Sequence, residues 1–387
     1  VLHWGRLFTA PPIGFPVILP PARRQTGKWL PARASPVRVG RDRTERLMII
    51  VLAPGATERN REDIIDNLKA RGYGVHVSVG VEKSIIGIIG VGVEEKGEIQ
   101  DQFEALPFVE KCLPVSAPYK LVGRAFRPEG TKINVRGVVI GGDTAVMMAG
   151  PCTVENPEMI VETARLVKAA GAHILRGGAY KPSTSPYSFH GHGESGLKML
   201  AEARKETGLP IITEVMDVRD VETVCQYADI LQIGTRNAQN YNLLREVGKV
   251  QTPVMLKRGM SSRIEEWLQA AEYIASQGNY NIMLCERGIR TFENYTRNTF
   301  DINAIPAIKE LSHLPIIADP SHGTGKASLV RDVTLAAFAA GADGAIVEVH
   351  PDPTKAMKDG AQSLTPAAFE EMMGKLRRLA PVVGRQV

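Results

Sequence analysis

Two rhythms of apolar and polar positions run along this chain, and the change falls near residue 116. Met48-Ile49-Ile50-Val51-Leu52 is an unbroken apolar run and reads as a buried strand. Pro54-Gly55 turns the chain, and Thr57 stands where a helix needs its N-cap. Ile64, Ile65 and Leu68 then share one face of a helix through Arg71, which Gly72 ends. Val75, Val77 and Val79 alternate with polar residues as in a half-buried strand, and residues 85–93 are a second β-rich run. Residues 99–106 predict a short helix and 108–115 a last strand. The order βαββαβ predicts a small ferredoxin-like domain over 48–115, suited to binding a small effector and regulating the larger domain after it. Residues 116–143, with Pro118, Pro128 and Gly130, read as a linker with a hairpin around 135–140.

From residue 144 short apolar runs alternate with amphipathic stretches. The runs are 146–149, 173–175, 210–213, 229–233, 253–256, 281–284, 314–318 and 344–347. Between them lie helical patterns such as 158–170, 261–276 and 328–340, and a last helix is expected over 365–379. Ala-Ala-Gly-Ala-His at 169–173 is echoed by Ala-Ala-Gly-Ala-Asp at 339–343. Eight β-then-α units over 144–380 predict an α/β fold, a (β/α)8 TIM barrel, at a length close to the ~250 residues usual for it.

Composition narrows the class. Of 387 residues 44% are apolar and only 37 are Gly and 25 Pro, which excludes a low-complexity or collagen-like chain. No apolar run approaches the ~18 residues of a spanning helix, so neither a membrane partner nor a membrane location is expected and the protein is placed in the cytoplasm. Four Cys are too few for a disulfide scaffold and read as thiols or a ligand. The net charge of +5 arises from residues 1–47, which carry +7, while the remainder carries −2. The basicity therefore describes no nucleic-acid-binding face of the folded body. Residues 1–47 contain seven prolines and are expected to be a disordered Pro/Arg-rich extension, the folded protein starting at Met48; a targeting segment is the competing reading.

In a barrel of this kind the chemistry lies at the C-terminal ends of the strands. In order, those ends and the loops behind them carry Cys152, Arg176 with Lys181, Glu214, Gln232 with Arg236, Lys257 with Arg258, Glu286 with Arg287, Asp319 with His322, and Glu348 with His350. So many charges at one mouth are costly unless ligands and counter-charges compensate them. Arg176, Lys181, Arg236, Lys257 and Arg287 form a cationic cradle suited to a phosphate- or carboxylate-bearing anion. Cys152, His322 and Glu348, with Asp359 as a fourth, are a mixed S/N/O set for a divalent metal such as Mn, Fe, Co or Zn. Cys112, Cys225 and Cys285 have no such context and read as packing residues.

The motifs at these ends resemble a known family. Ala149-Gly150-Pro151-Cys152, Leu175-Arg176-Gly177-Gly178-Ala179-Tyr180-Lys181-Pro182, Gln232-Ile233-Gly234-Thr235-Arg236-Asn237, Leu256-Lys257-Arg258-Gly259, Cys285-Glu286-Arg287-Gly288, Asp319-Pro320-Ser321-His322 and Val347-Glu348-Val349-His350-Pro351 are similar to those of 3-deoxy-7-phosphoheptulonate (DAHP) synthase. The likeness covers nearly all of 48–380, and the small first domain resembles the regulatory domain of the subclass that senses aromatic amino acids. It implies a transferase that condenses phosphoenolpyruvate with erythrose 4-phosphate to DAHP and phosphate, the first step of the shikimate pathway. It further implies Cys152, His322, Glu348 and Asp359 as metal ligands, and Arg176, Lys181, Arg236, Lys257 and Arg287 around phosphoenolpyruvate, with Glu214 orienting part of that cradle. Lys181, Pro182 and Thr184 would face the tetrose, Lys181 also serving as proton donor. A Phe or Tyr effector and a homotetramer are implied as well.

The chain departs from the pattern at Ser183, where the family reads Arg in Lys-Pro-Arg-Thr, at Thr235 for Ala, and at His190 for Gln. Loss of that Arg weakens the grip on the aldehyde by about 1–3 kcal/mol unless another cation replaces it, and His190 or His192 is a candidate substitute hydrogen bonder. The alternatives are 3-deoxy-octulosonate 8-phosphate synthesis from arabinose 5-phosphate, against which Pro182 argues, an inactive barrel acting as an effector-binding module, and a Schiff-base aldolase using Lys257.

Overall fold

A computed structural model describes residues 47–80, 84–92, 95–114, 118–182 and 187–387. The expected extension lies outside them but for Leu47, the first residue of β1 (Leu47–Leu52), and so do Ser183 and Thr184. No helix among the described residues is long and apolar enough to cross a membrane.

The first domain is βαββαβ: β1, α1 (Glu58–Ala70), β2 (Gly74–Val79), β3 (Ser84–Ile89), α2 (Lys96–Glu104) and β4 (Val109–Pro114), with antiparallel sheet order β2-β3-β1-β4. Thr57 caps α1 in a reciprocal box: its hydroxyl accepts from Asn60 N–H (3.2 Å) while its own N–H donates to Asn60 Oδ1 (2.9 Å). Ile64 and Leu68 on α1 and Ile99 and Phe103 on α2 bury against Ile50, Ile86 and Ile88 of the sheet. Two boundaries differ from the apolar pattern. Strand β3 stops at Ile89 because Gly90 takes a left-handed turn (φ 101°). Helix α2 starts at Lys96 rather than 99, since its first turn is polar and carries no apolar signal.

Residues 118–143 are packed into the barrel domain rather than strung between domains. Leu121, Val122 and Phe126 join its main core, and Glu272 on the barrel's outer layer accepts from the N–H groups of Leu121 (2.9 Å) and Val122 (3.1 Å). The hairpin β5 (Ile133–Val135) and β6 (Val138–Ile140) precedes the barrel. Its Ile133, Val135 and Ile140 meet inward-facing side chains of the barrel strands, Val146, Met148, Ile174, Ile212, Ile230, Met255, Met283, Cys285, Ile317 and Ile346 among them. The hairpin thus seals one end of the barrel with apolar contacts, each buried aliphatic contributing about 1.5–3 kcal/mol.

The eight strands β7 (Val146–Gly150), β8 (Ile174–Arg176), β9 (Ile211–Glu214), β10 (Ile230–Ile233), β11 (Val254–Lys257), β12 (Ile282–Glu286), β13 (Ile316–Ala318) and β14 (Gly344–Glu348) close into a parallel barrel. Both faces of every strand are covered, which is why they read as continuous apolar runs. Helix α3 (Pro157–Ala170) shows how the outer layer is bounded: Asn156 accepts from Met159 N–H, Pro157 opens the first turn, and Gly171 (φ 104°) ends it. Packing continues beyond residue 380, where Gln386 exchanges backbone bonds with Ala145 and Asp143. The domains also touch: the Ser78 hydroxyl on β2 donates to the Ser276 carbonyl.

Candidate active site

Closure of the ring decides the site. Strand β14 pairs with β7 in a register that sets Glu348 opposite Gly150, so Glu348 ends beside the loop bearing Cys152. After β13, Asp319 caps the short helix α4 (Pro320–Thr324), accepting from His322 N–H at 3.0 Å. His322 is thereby held at the same rim, Nε2 3.5 Å from Glu348 Oε1. Cys152 Sγ donates to Asp359 Oδ2 at 3.2 Å, and ligand atoms of Cys152, Glu348 and Asp359 lie within 4.8 Å of one another. The four side chains expected to share a metal are therefore neighbours.

Their protonation suits a cation. His322 Nδ1–H points at Asp319 Oδ2 (2.8 Å), which leaves Nε2 as a lone pair facing a carboxylate. Burial favours this neutral form by pulling the imidazole down from its ordinary range, although Asp319 opposes the shift. Burial would raise the Glu348 carboxyl, but the surrounding positive charges, Arg176 and Lys181 among them, bring it down to about 2. Burial, then Glu348, push the Cys152 thiol up, so a metal binding there displaces a proton. A lone pair and two carboxylates converging with a thiol fit a divalent ion.

Beside this group lies a cavity of about 330 Å³. Arg176, Lys181, Arg236, Lys257 and Arg287 all line it, with Pro182 and Glu214. Glycine makes room for one of them: a Cβ at Gly178 would fall 2.6 Å from Lys181 Cε and 2.8 Å from the Cys152 carbonyl. Arg176 Nη1 donates to Glu348 Oε1 (2.7 Å) and to the Pro151 carbonyl (3.1 Å). Lys257 Nζ pairs with Asp319 Oδ2 at 2.5 Å. Glu214 Oε2 accepts from Gln232 Nε2 at 3.2 Å. Arg287 differs: it is buried, and its Nη1 has no hydrogen-bond partner among the described residues. Burial pulls its guanidinium below the ordinary range, only partly offset by Asp319.

Of the other strand-end groups, Arg258 Nη1 binds both Glu286 (2.9 Å) and Asp301 (2.8 Å). His350 Nδ1 accepts from Asp352 N–H (3.0 Å), while its buried Nε2 has no hydrogen-bond partner among the described residues and lies 3.5 Å from Glu155 Oε1. His190 and His192 are not among the residues lining the cavity, and His192 Nε2 is hydrogen-bonded with the Glu155 carbonyl (2.9 Å). Cys112 and Cys285 are buried and Cys225 is half-buried, all three as free thiols. Sequence reasoning left Asp319 without a role, although it joins Lys257 to His322; Asp three residues before His at a helix start was the available signal. Arg297 and Lys358 also line the cavity and had no signal.

The sequence model of the DAHP synthetase I family matches residues 126–382 and that of the DAHP synthase ferredoxin-like domain residues 48–117. The chain belongs to the DAHP synthetase I family. A relative, phospho-2-dehydro-3-deoxyheptonate aldolase of Thermotoga maritima, is 49% identical over 340 residues, 88% of this chain and 100% of that protein. The crystal structure of that enzyme, described as a DAHP synthase, aligns with TM-score 0.70 at 48% identity over 88% of this chain and 99% of its own. A 2-dehydro-3-deoxyphosphooctonate aldolase of Syntrophotalea carbinolica is 34% identical over 251 residues, 60% of this chain and 90% of that protein.

Proposed function

We propose that this chain is a metal-dependent DAHP synthase, condensing phosphoenolpyruvate with erythrose 4-phosphate to DAHP and inorganic phosphate. The observation that carries the reading is Arg287: a buried guanidinium with an unpartnered nitrogen, in a cavity lined by four further cations of the expected cradle. Such a group wants a bidentate anion, and the phosphate or carboxylate of phosphoenolpyruvate supplies one. The full-length likeness to the Thermotoga enzyme favours the seven-carbon product, since the octonate relative matches at lower identity and over a smaller share of this chain.

Cys152, His322, Glu348 and Asp359 would hold a divalent metal, which when bound supplies Lewis acidity to the aldehyde oxygen. Arg176, Arg236, Lys257 and Arg287 hold phosphoenolpyruvate with its enol carbon toward that aldehyde. A carbon–carbon bond forms between the enol C3 and the aldehyde carbon, and the aldehyde oxygen gains a proton, supplied by the Lys181 ammonium. Water adds at C2, the C2–O bond to phosphorus-bearing oxygen breaks, and inorganic phosphate leaves. Asp319 keeps the Lys257 ammonium and the His322 ring in place throughout. At the rim, Arg297 and Lys358 add positive charge on loops behind β12 and β14, offsetting Ser183 where the family reads Arg. The small domain is assigned the sensing of Phe or Tyr, supported by its match to the family's ferredoxin-like domain.

The test is phosphate release from phosphoenolpyruvate with erythrose 4-phosphate or arabinose 5-phosphate as acceptor. Turnover with the tetrose at least tenfold faster than with the pentose is expected; preference for the pentose, or release with neither, would overturn the reading.

A further inference from the structure

The two oxygens of Glu348 face different neighbours. Oε1 takes Arg176 at 2.7 Å and looks toward His322 Nε2 at 3.5 Å. Oε2 accepts from Nε2 of Gln362 at 2.8 Å. Gln362 is 3% exposed and closes the short turn behind Asp359, its N–H donating to the Asp359 carbonyl at 3.1 Å. Its Oε1 accepts from Arg297 Nη1 at 3.0 Å, and the same nitrogen lies 3.3 Å from Asp359 Oδ1. A primary amide has one accepting and one donating end, so this orientation alone serves a guanidinium and a carboxylate together.

Arg297 is itself fixed from behind. Its N–H donates to the Thr324 carbonyl (2.9 Å), and the next residue, Asn298, donates from Nδ2 to the His322 carbonyl (2.9 Å). The approach is close: a Cβ at Gly325 would fall 2.5 Å from Arg297 Cβ. One loop segment after β12 therefore reaches the rear of His322 and Asp359 and, through Gln362, of Glu348. Without the amide, the Glu348 carboxylate can turn and present both oxygens to Arg176 as a fork, withdrawing from the ion.

We propose that Gln362, anchored by Arg297, is the positioning residue that turns Glu348 Oε1 toward a divalent cation shared with Cys152, His322 and Asp359. The inference rests on the metal reading above. Gln362→Met keeps the volume and removes both side-chain bonds without changing charge. Full-length wild type and variant, stripped of metal, are titrated with Co²⁺ alone, following heat and the cobalt–thiolate absorption of Cys152. The variant is expected to bind Co²⁺ roughly 10–100-fold more weakly and with a shifted thiolate band. The melting temperature of the metal-free form should move less than that of the Co²⁺-loaded form, which a merely structural role does not give. Arg297→Lys, at a side chain 42% exposed, keeps the charge, shortens the reach that lets Nη1 meet both Gln362 and Asp359, and is expected to weaken Co²⁺ binding in the same sense by a smaller factor; it carries the test should Gln362→Met not fold. Co²⁺ affinities within twofold of wild type overturn this proposal alone. A wild type that takes up no Co²⁺ overturns the metal reading and the proposal with it.

Discussion

Replacing Arg287 by Met should make the free protein more stable and the enzyme far worse. The side chain is 5% exposed and one guanidinium nitrogen has no partner among the described residues, a state that costs about 1–3 kcal/mol for a buried donor. Removing it leaves no orphaned charge behind, because Asp319 keeps Lys257 at 2.5 Å and His322 at 2.8 Å. Arg287→Met should therefore unfold at higher urea, by about 1–3 kcal/mol in the absence of substrate. The same change removes a fork to the anion. Two charge-assisted bonds at about 1.5–3 kcal/mol each correspond to a loss of roughly 10²–10⁴ in kcat/KM. Urea unfolding and phosphate release measure the two halves, and phosphoenolpyruvate should raise the melting temperature of the wild type but not of the variant. A variant that is less stable and turns over within threefold of wild type would refute the reasoning.

Two further outcomes are expected from other parts of the molecule. His313 joins residues 118–143 to the barrel as a neutral ring, Nε2 donating to the Leu121 carbonyl (2.6 Å) and Nδ1 accepting from Thr131 Oγ1 (2.7 Å), and burial pulls its pKa down to about 4. Its folded value lies below the ordinary ~6.5, so the unfolded chain binds the extra proton first: the stabilisation is complete above pH ~6.5 and falls by about 3 kcal/mol as pH drops toward 4. Denaturant midpoints between pH 7 and 4 should show this decline and His313→Gln should flatten it; parallel profiles would contradict the assignment. Lys358→Ala, on the cavity rim, should raise KM for erythrose 4-phosphate roughly 5–50-fold while KM for phosphoenolpyruvate changes less than twofold. Equal changes in both would place Lys358 elsewhere in the reaction.

The barrel was readable because every strand is buried on both faces, so each announces itself as an apolar run between amphipathic helices. The strand-end charges were readable for the same reason: once the runs are placed, the residues just past their C-terminal ends must share a mouth. Other features were hidden for physical causes. Residues 133–140 look like any hairpin, and only the closed barrel reveals that Ile133 and Ile140 cover its apolar end. The first turn of α2 is polar and left no periodic trace. Gln362 carries no charge and Arg297 sits in a polar loop 65 positions away, so their bond is a product of barrel topology and has no local signature. Asp319 lay between the two: its spacing to His322 is local, while its contact with Lys257 crosses from one strand to another.

The most direct measurement is inorganic phosphate release from phosphoenolpyruvate plus erythrose 4-phosphate by protein stripped with a chelator, before and after adding back Mn²⁺. The ring of eight strands, with a thiol, an imidazole and two carboxylates at one edge of a cationic cavity, predicts no release from the stripped protein and recovery on adding the metal. An undiminished rate in the presence of chelator would contradict it.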